Sequence, residues 1–182
     1  MKKETTEKLI FALKILTEKK SLDEISVTEL TNKAKINRGT FYLAYDDFND
    51  FILAIEKELL TGFKKTLIYD FVACGLGTGM VNIFKYIYDN MLIFKIVLLD
   101  ELFLKQFEKA ITAFIAKYNC FNPSIPNEYS QTLLLNSTVA IIKLWIFETE
   151  PRSVKEITAI FYKTRTLSPI NLATTSDNNA YI

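Results

Sequence analysis

The chain has 182 residues, 49% of them hydrophobic, and a formal net charge of +1, so it has room for one or two domains with a substantial core. It contains no histidine, which excludes histidine-based triads and HExxH metal chemistry. The two cysteines, Cys74 and Cys120, lie far apart, so neither a disulfide framework nor a zinc site is implied and both are expected to be buried thiols. No catalytic constellation, cofactor or metal is read from the chain.

The opening is charged rather than apolar. Leu9, Ala12, Leu13 and Leu16 then recur on one stripe, which predicts a first helix ending near Lys20 rather than a signal peptide. The longest apolar runs, 91–99 and 133–147, are interrupted by Lys95 and by Asn136 and Lys143. Both fall short of the roughly 20 residues that a membrane span needs, so a cytoplasmic protein with no membrane partner is expected.

Residues 26–51, SVTELTNKAKINRGTFYLAYDDFNDF, are the most informative stretch. Ser26 stands three residues before Glu29, the spacing of a reciprocal capping box, and so a helix should begin near Val27. Val27, Leu30 and Ala34 share one face and leave Thr28, Lys33 and Lys35 on the others. After a turn through Lys35 and Ile36, Asn37 offers its side chain as the cap of a second short helix over 38–43. At about 100° per residue, Arg38, Gly39, Tyr42 and Leu43 share an arc that Phe41 faces away from. The order is that of a helix-turn-helix, with Phe41 in the core and the arc free for a partner.

Further helices are predicted over 47–66, 78–90, 91–99, 101–118, 127–148 and 153–166, giving an all-α fold. Gly75, Gly77 and Gly79 match no phosphate-binding loop, lacking both the GxGxxG spacing and a GKS or GKT, and are read as a flexible connector. Asn122 to Pro126 should form a loop, Pro151 should follow a helix stop, and 168–182 should fray. The second half of the 127–148 helix is apolar all round, which requires cover on two sides. A second copy of the chain is the natural second cover.

NRGTFY, the preceding TELTNKAKI and the following YDDFNDF together resemble the head of the TetR/AcrR family of bacterial transcriptional regulators. KLW at 143–145, PRSVKEI and KTRTLSP are similar to a sensing domain common in Gram-positive members. The resemblance implies a three-helix DNA-binding head at 1–46, joined by a long helix to a helical-bundle ligand-binding and dimerisation body at 47–167, with a tail at 168–182. It implies that Thr28, Arg38, Gly39 and Leu43 face base edges while Ser26, Thr40 and Tyr42 bond phosphates. Bases specify and phosphates position; the Arg38 fork would suit guanine. It also implies a sensing cavity near Phe63, Phe84, Tyr88, Phe94, Phe103 and Phe107, although for any single one ordinary core packing is the better explanation. A four-helix dimer interface through Ile141, Leu144, Trp145, Ile157 and Phe161 follows in the same way.

Three positions depart from the family pattern: Lys35 replaces a usual glycine, Ala44 a common histidine, and Phe48 a common phosphate-contacting lysine. Asp46, Asp47 and Asp50 follow at once; they favour the next helix start but repel phosphates. Residues 1–66 carry twelve Lys and Arg against eleven Asp and Glu, so only the local patch around Lys33, Lys35 and Arg38 favours DNA. The expected function is an operator-binding homodimer, a modest DNA binder and in the commoner mode a repressor, responsive to an unknown small-molecule effector. The alternative is a helical homodimer whose degenerate head binds protein or a small ligand instead of double-stranded DNA.

Overall fold

In the computed structural model, which describes residues 2–118, 121–167 and 172, every regular element among the described residues is helical. The helices are α1 (Lys2–Thr17), α2 (Val27–Ala34), α3 (Arg38–Tyr42), α4 (Phe48–Asp89), α5 (Met91–Val97), α6 (Glu101–Tyr118), α7 (Asn127–Ile146) and α8 (Val154–Thr166), with a 3-10 turn at Leu22–Glu24. Most of the expected tail at 168–182, and the expected thiols of Cys74 and Cys120, lie outside what the structure describes. No described helix is long and apolar enough to cross a membrane.

One expectation fails at the glycines. The predicted helices over 47–66 and 78–90 are a single helix, α4, of 42 residues, with a rise of about 63 Å. The three glycines clustered at 75–79 each weaken a helix by about 1 kcal/mol relative to alanine, but the segment holds no proline to break the hydrogen-bond ladder. Burial of Ile83, Phe84 and Ile87 just beyond it offsets that weakness at about 1.5–3 kcal/mol per large apolar side chain. The Tyr162 hydroxyl on α8 also donates to the Gly77 carbonyl at 3.4 Å.

The chain divides into two compact units, Met1–Lys65 with Asn90–Asn119, and Thr66–Asp89 with Cys120–Ile182. In the first, α1 packs on α2 and α5. Leu9, Ala12 and Leu13 of α1, Leu30 of α2, Phe41 of α3 and Phe51 of α4 are all enclosed. The first turn of α4 is held by Asp47, whose carboxylate accepts from the Asp50 N–H at 2.8 Å, while the Asp50 carboxylate accepts from the Asp46 N–H at 3.1 Å.

In the second unit, α7 and α8 pack with the latter part of α4 around Trp145, Phe84 and Phe161. A full capping box starts α8: Ser153 Oγ accepts from the Glu156 N–H at 3.3 Å, and the Glu156 carboxylate accepts from the Ser153 N–H at 2.9 Å. At its other end Arg165 clamps α8 to α7, donating to the Ser137 hydroxyl, to Thr138 Oγ1 at 2.5 Å and to the Leu134 carbonyl at 3.5 Å. Its guanidinium also lies 4.6 Å from the Phe161 ring centre. Burial lowers the Arg165 pKa, and the hydroxyls and carbonyl satisfy donors that would otherwise be stranded.

Candidate nucleic-acid interface

Ser26 caps α2 as expected, its Oγ accepting from the Glu29 N–H at 3.1 Å. The return half of the box is absent. Glu29 instead reaches Lys20, just beyond α1, in an ion pair of 2.8 Å, so the carboxylate ties two helices together rather than closing its own cap. On the inner face Leu30 and Ala34 are buried, Val27 only half so, and Thr31 is fully enclosed. A β-branched hydroxyl is tolerable there because Thr31 Oγ1 donates to the Val27 carbonyl at 2.8 Å, one turn back.

The turn departs from regular geometry at one residue. Lys35 is left-handed, with φ 55° and ψ 44°, and among the described residues it is the only non-glycine with positive φ. That conformation costs a side-chain-bearing residue about 1–2 kcal/mol. Lys35 N–H bonds back to the Asn32 carbonyl and Ile36 N–H to the Thr31 carbonyl, which satisfies groups left open at the end of α2. The turn then delivers Asn37, whose Oδ1 accepts from the Gly39 N–H at 2.7 Å. A Cβ on Gly39 would stand 3.2 Å from that oxygen, so the cap gives glycine a local reason besides close approach to a partner.

On α3 the division of faces is as the periodicity predicts. Phe41 is fully enclosed, its ring 5.4 Å from Tyr45 and 5.9 Å from Phe51. Tyr45 is tied in turn to Thr6 of α1 by a 3.0 Å hydroxyl bond. Arg38 and Gly39 are exposed, Thr40 half-buried, Tyr42 46% exposed and Leu43 87% exposed. Ser26, Thr28, Lys33 and Lys35 are exposed as well.

Arg38 donates to the Tyr42 hydroxyl at 3.4 Å and lies 5.8 Å from its ring centre. No described carboxylate forms an ion pair with Lys33, Lys35 or Arg38. The Arg38–Tyr42 contact was not anticipated, although an i,i+4 spacing is its ordinary signal. Of the positions that depart from the resemblance, Ala44 is half-buried, and Phe48 is half-buried with its ring 6.3 Å from Phe51. Phe48 therefore belongs to the packing around the start of α4 as much as to the surface.

The six aromatics expected near a sensing cavity fall into two groups, one in each unit. Phe63, Phe94, Phe103 and Phe107 form one enclosed cluster in the first unit, with Phe63 and Phe107 ring centres 4.6 Å apart. Phe84 and Tyr88 belong to the second unit, where Phe84 lies edge-on to Trp145 at 5.6 Å and Tyr88 stacks on it at 6.2 Å.

The expected dimer residues also separate. Trp145, Ile157 and Phe161 are enclosed within their own unit, and the Trp145 indole donates to the Arg152 carbonyl at 2.8 Å. Packing among α7, α8 and the latter part of α4 supplies their cover, one of the two sides that the apolar helix needs. Leu144 remains outward at 72% exposure, in line along α7 with Leu133 at 68% and with exposed Ala140, and Ile141 is half-buried.

No known protein family matches the sequence, and no curated protein does. Solved structures do. A TetR transcriptional regulator from Streptococcus agalactiae 2603V aligns at 19% identity over 89% of this chain and 93% of its own, with a TM-score of 0.58. A TetR/AcrR-type transcriptional regulator from Aquifex aeolicus VF5 aligns at 14% identity over 88% and 97%, with a TM-score of 0.68. The dihydroxyacetone kinase operon activator DhaS aligns at 14% identity over 88% and 93%, with a TM-score of 0.53. The chain has the all-α fold of the TetR/AcrR regulators.

Proposed function

We propose that this chain, built on the TetR/AcrR fold, is a transcriptional regulator that binds double-stranded DNA through residues 1–46. The observation that carries this reading is the outward arc of α3. Arg38, Gly39, Tyr42 and Leu43 stand clear of the core that Phe41 anchors, and Lys33 and Lys35, a few residues earlier, are exposed too. In this reading Thr28, Arg38, Gly39 and Leu43 meet base edges, and Ser26, Thr40 and Tyr42 position the head on phosphates.

The body, 47–167, is assigned to dimerisation and effector sensing. Two heads spaced about one DNA turn, roughly 34 Å, read a near-palindrome. The exposed apolar line of Leu133, Ala140 and Leu144 supports pairing through α7. An effector held in the body alters the spacing of the paired heads through α4, and it represses or releases only in proportion to its differential affinity for the two states.

A fluorescence-anisotropy titration against mixed genomic duplexes at two salt concentrations tests the head. Counterion release makes genuine phosphate contact salt-sensitive, and Arg38→Ala should weaken binding roughly 5- to 150-fold, the range for losing a bidentate base contact. Salt-insensitive or absent binding would favour a second reading, a helical dimer whose head docks on protein. The exposed Asp46 and Asp47, and Ala44 and Phe48 in place of DNA-contacting side chains, are the observations in its favour.

A further inference from the structure

We infer, resting on the DNA-binding reading, that each head selects a half-site containing a guanine and a thymine at one fixed separation. Arg38 takes the guanine and Leu43 the thymine methyl. Leu43 is 87% exposed, more than any other large apolar side chain described. It directly follows α3, where no packing demand accounts for an apolar residue. In the major groove only one base edge offers an apolar complement, the C5 methyl of thymine; every other group presented there is a hydrogen-bond donor or acceptor. Leucine can make no hydrogen bond, so its discrimination rests on that methyl.

Arg38 supplies the opposite chemistry from the opposite margin of the arc. Five positions separate the two, about 7.5 Å along the helix axis, so they meet different base pairs of one half-site. Tyr42, between them on the arc, holds the Arg38 guanidinium through its hydroxyl at 3.4 Å and its ring at 5.8 Å. It acts as a positioning residue that limits the wandering of a long side chain before DNA arrives.

Random duplexes enriched on the full-length protein should yield half-sites with a G and a T at one fixed separation. Anisotropy titrations of the best duplex then isolate the methyl by exchanging that thymine for uracil, which removes one carbon and no hydrogen-bonding group. Wild type should lose about fourfold in affinity, the worth of one buried methyl, and Leu43→Ala should lose nothing further on the exchange. Arg38→Ala should lose the guanine preference while keeping the thymine preference. Equal uracil penalties in wild type and Leu43→Ala, or salt-sensitive binding with no enriched G and T, would overturn this assignment and leave the DNA-binding reading standing. Absence of salt-sensitive binding to any duplex would overturn both. Leu43 is outside the core, so an unchanged far-UV circular dichroism spectrum confirms that Leu43→Ala reports on recognition rather than folding.

Discussion

The α2–α3 corner and the α7–α8 pair are both short helical assemblies, but different forces hold them. In the corner, neighbouring residues do most of the fixing: Ser26 caps α2, Asn37 caps α3, and Lys35 turns the chain between them. In the pair, the fixing groups are distant in sequence. Trp145 meets Phe84 and Tyr88, and Arg165 reaches back 27 and 28 residues to Thr138 and Ser137. Local polar bonds leave an outward face free to vary, whereas an aromatic core spends its side chains inward. The corner can therefore carry recognition while the pair carries stability.

The largest break in that comparison is Trp145→Ala. Removing a fully enclosed indole should destabilise the second unit by about 3–5 kcal/mol, read by chemical denaturation with circular dichroism. An effect below about 1 kcal/mol would mean that the pair is not organised around this side chain.

A smaller effect sharpens the contrast. Ser26→Ala and Ser153→Ala each remove a helix cap worth about 1 kcal/mol, so thermal melts should fall similarly. Only Ser26→Ala should also weaken DNA binding beyond its effect on folding, because Ser153 lies far along the chain in the second unit.

The smallest effect is a pH slope in the first unit. Glu56 is buried on α4, and its pKa is raised by desolvation and then by the negative charge of Asp100. A carboxyl whose folded pKa exceeds its unfolded one binds its proton more tightly when folded. Its stabilising contribution is therefore complete below the unfolded pKa and is lost as pH rises through the folded value. Glu56→Gln should be the more stable protein at neutral pH, and its advantage should shrink on acidification. A constant difference between the two across that window would show that the charge is not the cause.

The same division explains what could be read from the residues alone. Periodicity and caps located α2, α3, α6 and α8 almost to the residue, because a serine, an asparagine or an apolar stripe acts within one or two turns. It also picked out the exposed arc and the buried Phe41. Three features escaped it. The Glu29 carboxylate has two partners within reach, its own cap and Lys20, and only tertiary packing decides between them. The glycines of α4 mark a weak helix, but the burial that carries the helix through them comes from other elements. Which element covers Trp145, Ile157 and Phe161 is not written in α7 or α8, since apolar residues do not state which neighbour will cover them.

Trp145 is the sole tryptophan of the chain, fully enclosed and hydrogen-bonded through its indole N–H. Indole emission shifts to longer wavelength when water reaches the ring, so the intrinsic fluorescence of this protein is an optical gauge of the second unit. Events confined to the α2–α3 corner leave that signal unchanged. Comparing it with circular dichroism, which both units contribute to, distinguishes one cooperative melting transition from two without any added label.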